Sequence, residues 1–589
     1  MSGDAIARVV PDLATFSVDE GFEYLVGDHD VRVGSLVRVP LSGRPRRGYV
    51  VDLRHGVSDN LKSIRSVSGA RAVFDSRLLR TVDDVAAYYV APRSVVLGKV
   101  APPNLPKSPK PLELPSIPPC DSAAPEATRD AAQGRGGGHV QVLAGSEWGT
   151  AIRGLVTGIL VAGRSAVVVL PTAAEAGRLA GLLRRDLGAR VLEAEGDDAS
   201  VTMAWSRAAA NPGVVLLGTP KVVWWPVEAL AAIVLVDEGR RGMKERQTPT
   251  VSAARVAATR AAHEDLTVFH LGRVPTAETF GRNPRRVRVG GRLWPPVEVV
   301  DRREEAPGSG LFTERVRAAV RQTIRGSGRA FFFTHQRGYA PASRCASCRE
   351  LRLCQQCGAR PDPGPECRRC GAGLDACAHC GGRRFEALGA GAERVVEEAR
   401  RAFGDATVGM VDATQPAISV GTERDLVHLG PVDLAIAVDA DGLIRGTNYR
   451  AGEDALAVLA RVAARVREGR TNRLIVQTVS PDHPVLEALR RADPLPFFER
   501  ELAERRSLGM PPIGEVLVLE VSELEGVDEE IRLATAGAVV FGPSSRDGVG
   551  RWLIQGRDLT EVKRDLRPLV GKLRDRGGRV RVDADPRDL

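Results

Sequence analysis

Eight cysteines crowd into residues 345–380, and no other feature so restricts how this chain can fold. The stretch reads CASCRELRLCQQCGARPDPGPECRRCGAGLDACAHC. It arranges Cys345, Cys348, Cys354, Cys357, Cys367, Cys370, Cys377 and Cys380 as four Cys-x-x-Cys pairs. Two thiolates three residues apart grip one side of a metal ion from a tight turn, and two such knuckles close a tetrahedral shell. Four knuckles make two four-thiolate zinc sites. Both shells are then full, so neither ion keeps an open position for catalysis, and His379 inside the last knuckle is a bystander. Spacing alone also permits consecutive knuckles to share an ion. Disulfides would need an oxidising compartment. An iron–sulfur cluster uses a characteristic cysteine run rather than four tidy pairs, and a redox motif uses a single pair. The stretch is too short and polar to bury a core, so each metal would contribute on the order of 10 kcal/mol to the local fold. Arg349, Arg352, Arg360, Arg368 and Arg369 decorate it, either as a solvated face or as phosphate contacts.

The remaining chain is long enough for several domains, at 589 residues. A formal charge of +9 suits a polyanionic partner such as nucleic acid. The opening MSGDAIARVVPDL lacks the basic-then-apolar pattern of an export signal. No apolar run is long enough to span a bilayer, so a soluble, cytoplasmic protein with reduced thiols and no membrane partner is expected. The ninth cysteine, Cys120, lies in a proline-rich stretch and reads as a free surface thiol.

Residues 1–104 carry short β-like runs (AIARVV, FEYLV, GSLVRVPL, GYVVDL) and then a helix-like stretch from Asp75 to Tyr89. They read as a small β-rich domain. Residues 105–139, rich in Pro, Gly, Ser and Ala, read as a disordered linker. From Val140 onward, near-continuous apolar runs (VQVLA, SAVVVLP, GVVLLGTP, AAIVLVDE, LTVFHLG) alternate with helical segments, the mark of a parallel sheet covered on both faces. This first lobe spans 140–290. A second series begins over 291–344, is interrupted by the cysteine module at 345–384, and resumes over 385–495. Residues 496–589 read as an α+β C-terminal domain.

Two tandem α/β lobes, the second with a zinc insertion, resemble the PriA (primosomal protein N′) family of bacterial replication-restart proteins, in its degenerate actinobacterial form. The resemblance is carried by GTPKVVWWPVEAL, AAIVLVDEGRRGMKERQTPTVSAARVAATRA, FFFTHQRGYAP, the cysteine pairs, LGAGAERVVEEARRAFGDATVGMVDA, ERELAERRSLGMPPIGEVLVLEV and VDADP. It implies two RecA-like helicase lobes and an N-terminal domain that holds the 3′ end of a nascent strand. Phe22, Glu23, Tyr24 and Lys62 fall where that family's pocket residues lie, although on the residues alone Phe22 and Tyr24 read as core packing. The family's winged helix has no counterpart, because the linker is too short and polar to replace it. The resemblance further implies one zinc on Cys345, Cys348, Cys377 and Cys380, and another on Cys354, Cys357, Cys367 and Cys370.

The family's motor is missing. A phosphate loop needs Gly-Lys-Ser/Thr after the first strand. Here SEWGTAIRG follows Gly145, with Glu147 and Trp148 in the way and no lysine before Lys221. Asp237 and Glu238 stand where magnesium-binding acids belong, but Gly239 and Arg240 follow them. Gly272, Arg273 and Val274 replace Ser-Ala-Thr. The second lobe has GTERDLVHL, and in RVAARVREGR Arg465 survives while Glu468 replaces the last arginine. Asp237, Glu238 and Arg465 therefore read as remnants, with no intact nucleotide site and ATP binding left open. Fold outlasts chemistry because packing needs only the apolar pattern. The expectation is a nucleoid-associated platform that binds forked or single-stranded DNA, helicase-loading primosome proteins and single-stranded DNA-binding protein. The competing readings are an ATP-dependent 3′–5′ DNA helicase with a non-standard phosphate site and a zinc-stapled scaffold that has lost DNA binding.

Overall fold

Alternation of apolar and polar residues in the first 56 positions makes strands with one buried face, and the computed structural model pairs them into an antiparallel sheet. The structure describes residues 4–56, 60–105, 112–118, 124–135, 137–146, 148–306, 310–336, 342–356, 358, 360–361, 364–367, 371–404, 408–412, 416–446, 448–522, 526–546 and 548–588. They form two compact units, residues 1–289 with 500–589, and residues 290–499.

In the first unit, β1 (Asp4–Pro11), β2 (Phe22–Leu25), β3 (Leu36–Leu41), β4 (Arg44–Gly56) and β5 (Ser66–Ser68) lie in the order β2-β1-β4-β3-β5. Ala7, Val9, Tyr24, Val26, Val37, Val39, Val50 and Ile64 form their core. The Ser76–Tyr88 helix follows. Asp75 caps it by accepting from the amides of Arg77 and Leu78, and Leu78, Val82, Val85 and Ala86 form its buried stripe.

The first lobe has β6 (Gly138–Ala144), β7 (Ser165–Val169), β8 (Val191–Glu193), β9 (Val215–Gly218), β10 (Leu230–Val236), β11 (Thr267–Gly272) and β12 (Arg285–Val289). All are parallel, in the order β12-β6-β11-β10-β7-β9-β8. Continuous apolar strands arise because both faces are covered: Val167 and Val169 enter one core while Ala166 and Val168 enter the other.

The second unit holds β13 (Val297–Asp301), β14 (Ala330–Phe333), β15 (Ala342–Cys345), β16 (Phe385–Leu388), β17 (Val408–Met410), β18 (Ile418–Gly421), β19 (Leu434–Ala437) and β20 (Arg473–Thr478). Six of them make a parallel sheet in the order β13-β20-β19-β14-β18-β17. The β15–β16 ribbon, which carries the cysteine module, is inserted between β14 and β17. The molecule is thus a multidomain α/β protein with two parallel, doubly wound lobes.

The C-terminal segment returns to the first unit as β21 (Glu515–Ser522), β22 (Val539–Arg546), β23 (Val549–Gly556) and β24 (Val580–Ala584), in the order β22-β23-β21-β24. Polar contacts tie its end to the N-terminal helix and the first lobe. Tyr88 Oη donates to Asp585 at 2.6 Å, Arg255 Nη2 donates to Tyr88 Oη at 2.8 Å, and Lys244 Nζ meets Asp583 at 2.6 Å.

One expectation needs correcting. The stretch 105–139 is not disordered throughout: among its described residues, Pro125–Ala132 form a helix whose Ala127 and Ala131 are buried with Ala124 in the first-lobe core. Leu112, Leu114 and Ile117 pack against the same lobe. Proline-rich composition masked an apolar stripe at helical spacing. Cys120 lies outside the described residues. No helix among the described residues is long and apolar enough to cross a membrane.

Candidate nucleic-acid and metal sites

Each described knuckle folds the same way, for a reason local to its sequence. The amide four residues after its first cysteine donates to that cysteine's carbonyl: Arg349 to Cys345 at 2.9 Å, and Gly358 to Cys354, Gly371 to Cys367 and Gly381 to Cys377 at 2.8 Å. The donor residue is left-handed in every case, with φ 61, 66, 73 and 73, so three of the four are glycine. Antiparallel pairing of Cys345 with Phe385 then brings the two ends of the module together. The Sγ atoms of Cys345, Cys348, Cys377 and Cys380 all lie within 4.8 Å of one another. Cys345 and Cys380 sulfurs are 3.5 Å apart, and those of Cys348 and Cys377 are 3.7 Å apart. Thiolates bound to one tetrahedral zinc stand about 3.8 Å apart, so this donor set fits a metal ion without rearrangement. The Cys348 amide lowers the Cys345 thiol while Cys348 itself is raised beside its cysteine neighbours, so within this set one thiol gives up its proton before the other.

The four cysteines brought together are the outer pairs. Cys354 and Cys367 are buried, each 2% exposed, while Cys357 and Cys370 lie outside the described residues. Arg352 is no phosphate contact. It is 5% exposed, donates to the carbonyls of Gly364 and Leu374, and stacks 3.8 Å from the Phe385 ring centroid. It staples the two arms of the module. Arg349 and Arg360 are exposed, and Arg368 and Arg369 lie outside the described residues.

The N-terminal candidates separate by exposure. Strand alternation puts Phe22 and Tyr24 on one face of β2 and Glu23 on the other. Tyr24 is 4% exposed and belongs to the core, with Oη 3.4 Å from the Pro40 carbonyl. Glu23 is held by Arg54 at 2.7 Å and Arg8 at 3.2 Å, and the Arg54 hydrogen bond lowers its carboxyl below the usual glutamate range. Phe22 is 41% exposed and Lys62 is exposed. Leu25 donates its amide to the Lys62 carbonyl at 3.0 Å, so Lys62 borders the same strand. Of the four, Phe22 and Lys62 are the two on the surface, while Glu23 is half-buried between Arg8 and Arg54.

In the first lobe, β6 ends at Ala144 and the next helix starts at Trp148, leaving three residues between them. A phosphate-cradling loop needs about six before its lysine. Arg273 Nη2 donates to the Gly145 carbonyl at 3.0 Å, and Arg240 is bound to Glu175 at 2.5 Å. Glu147 lies outside the described residues.

Asp237 is left-handed, with φ 47. Its neighbour Glu238 turns inward, its side chain 6% exposed. Glu238 accepts from His270 Nδ1 at 2.5 Å, from Thr276 at 2.7 Å and from Thr279, and His270 Nε2 meets His139 Nδ1 at 2.8 Å. Burial alone would raise the Glu238 carboxyl, but His270 and the two hydroxyls outweigh it and hold it low. Burial, with His270 and Arg282 alongside, pushes the His139 imidazole down to about 4. The sequence reading missed this network because its members are adjacent only once β6, β11 and β10 stand side by side. In the second unit, Arg465 follows the Ala451–Ala463 helix, and its carbonyl accepts from the Val432 amide at 2.9 Å.

Residues 8–102 match the sequence model of the 3'DNA-binding domain (3'BD) of PriA. The chain is 27% identical over 574 residues to the probable replication restart protein PriA of Mycobacterium leprae, covering 84% of each. It is 27% identical over 566 residues to that of Mycobacterium tuberculosis H37Rv, covering 85% of each. The replication restart protein PriA of Bacillus subtilis aligns over 408 residues at 23% identity, 62% of this chain and 51% of that protein. Among solved structures, RecG bound to a three-way DNA junction aligns with 66% of this chain and 47% of its own at 13% identity and a TM-score of 0.38. The fold assignment above rests on strand order instead. The resemblance read from the motifs thus extends along the chain, which is similar to PriA over most of its length.

Proposed function

We propose that this relative of the PriA replication restart proteins binds forked DNA and nucleates reassembly of the replication machinery without turning over ATP. The observation that carries the second half is the three-residue connection between β6 and the Trp148–Val161 helix. That connection is shorter than the loop of backbone amides that cradles phosphates. Glu238, which would polarise water at magnesium, is committed to three buried hydrogen bonds.

The first half is supported by the matched 3'DNA-binding domain, the exposed Phe22 and Lys62, and the basic balance of the chain. Phe22 stacks on a terminal base and Lys62 neutralises the adjoining phosphate. Two zinc ions hold the cysteine module, one on Cys345, Cys348, Cys377 and Cys380 and one on the four inner cysteines. The ions are structural, and the folded module serves as a contact for single strands and for partner proteins, namely helicase loaders and single-stranded DNA-binding protein.

The test is ATP hydrolysis by zinc-replete protein with and without forked DNA. The expected result is no turnover above a blank, alongside salt-sensitive binding of the fork. DNA-stimulated turnover abolished by Asp237→Ala would overturn the reading and favour an ATP-dependent 3′–5′ helicase.

A further inference from the structure

The segment Arg38–Arg47 reads RVPLSGRPRR, four arginines and no acid. β3 and β4 join there through Ser42 and Gly43, both left-handed at φ 48 and 80, which makes a tight two-residue hairpin. The register sets Leu41 opposite Arg44, Val39 opposite Arg46 and Arg38 opposite Arg47. Directly opposed residues share a face and successive residues alternate. Arg44 and Arg46 therefore stand on one face of the ribbon, and Arg38 and Arg47 on the other.

Elsewhere in this domain Arg8 and Arg54 are neutralised by Glu23, and Arg32 by Asp30. Of the hairpin's four, Arg47 has Asp12 at 3.9 Å. Arg38, Arg44 and Arg46 are exposed, and among the described residues no carboxylate lies within ion-pair distance of them. Arg65, also exposed, donates its amide to the Arg38 carbonyl at 2.8 Å and adds a further cation beside it. Soluble surfaces ordinarily intersperse both signs, and this ribbon does not.

We infer that the β3–β4 hairpin is a duplex clamp that enters a groove of DNA and meets phosphates on both of its walls. A single strand offers one row of phosphates and needs one charged face. Cations on both faces suit two rows, and the major groove, about 12 Å wide, admits a two-stranded ribbon. Position agrees. Residues 62–65 run from β2, through the Leu25 amide on the Lys62 carbonyl, to β3, through the Arg65 amide on the Arg38 carbonyl. Three residues of chain span at most about 11 Å, so the clamp begins close to the site of Phe22 and Lys62. The inference rests on the reading that those residues take a strand end at a fork, and it names the arm held: the duplex that contains that end.

The experiment uses the full, zinc-replete chain, wild type and R44Q/R46Q. Each is titrated by anisotropy from 50 to 200 mM salt against a 3′-ended single strand, a fork with a paired 3′ arm, and the same fork with RNA in that arm. For the DNA fork the salt slope should fall by about 1.8, so that the affinity gained on lowering the salt fourfold shrinks about twelvefold. Single-strand binding should be unchanged, R44K/R46K should restore the fork slope, and R38Q on the other face should lower it by about 0.9. An unchanged fork slope in R44Q/R46Q, with the wild type binding normally, overturns the clamp alone. An equal loss on the single strand, or on the RNA arm with its deep and narrow major groove, also overturns it. A wild type that binds no fork at 50 mM salt overturns the proposed function itself.

Discussion

Truncating Glu238 to alanine should destabilise the first lobe. Its carboxylate is the acceptor for His270 Nδ1 and for the hydroxyls of Thr276 and Thr279, in a site where the acid and imidazole side chains are 6% and 5% exposed. A stranded buried donor costs about 1–3 kcal/mol. The hydroxyls can rotate to other acceptors but the ring N–H cannot, so the net loss is about 3 kcal/mol. At about 2–4 °C per kcal/mol for a lobe of this size, the first-lobe transition should fall by about 6–12 °C. Glu238→Gln keeps the shape and one acceptor oxygen and should lose roughly half as much. Thermal melts give the shift, and hydrogen exchange of the β11 amides, residues 267–272, assigns it to this lobe. A Glu238→Ala chain that melts within about 1 °C of wild type, keeps β11 protected, and loses an ATP turnover present in the wild type would refute a structural role for the acid.

The same network should make the protein acid-sensitive. His139 titrates at about 4 in the fold, below its ordinary 6.5. As pH falls from 6.5 towards 4 the unfolded chain therefore takes up a proton that the folded chain refuses. Discounted for partial exposure, the loss is about 1–2 kcal/mol, absent above pH 7 and removed in His139→Gln, as pH-dependent urea melts would show. Phe22→Ala and Lys62→Ala should weaken binding of 3′-ended DNA with little change in stability, whereas Tyr24→Ala should cost about 3–5 kcal/mol by opening the core. Anisotropy paired with melts separates the two effects, and equal destabilisation by Phe22→Ala would remove it from the site. Cys348→Ser should lower bound zinc by one equivalent per chain and leave the inner knuckles loaded, measured by elemental analysis. An unchanged metal content would exclude the outer cysteine set as a site.

The parallel lobes were legible because strands covered on both faces must be apolar without interruption, and VVV in β7 or AAIVLV in β10 has no other reading. β8, of three residues, and the arginine-rich edge strand β12 carry no such signal. The knuckles were legible because the metal imposes their spacing. Exposure was not. Tyr24 and Phe22 share a strand face, and only the neighbouring strands decide that one is core and the other surface. Arg352 looked like surface charge because nothing local shows that the carbonyls of Gly364 and Leu374 close over it. The partners of Glu238 were hidden for a related reason, since His270 lies 32 positions away in the chain and meets it only through strand order.

The first unit is built from two stretches, residues 1–289 and 500–589, and the Tyr88–Asp585 and Lys244–Asp583 contacts join them. A ribosome therefore has to make the whole of the second unit before it releases the segment that completes the first. Until then the N-terminal helix and the first lobe carry an open seam, with Tyr88, Arg255 and Lys244 awaiting partners about 330 or more residues downstream. A chain cut within β24 would keep its cysteine module and second lobe yet leave that seam unsealed. Proteases would have a ready means of telling sealed copies of this unit from unsealed ones.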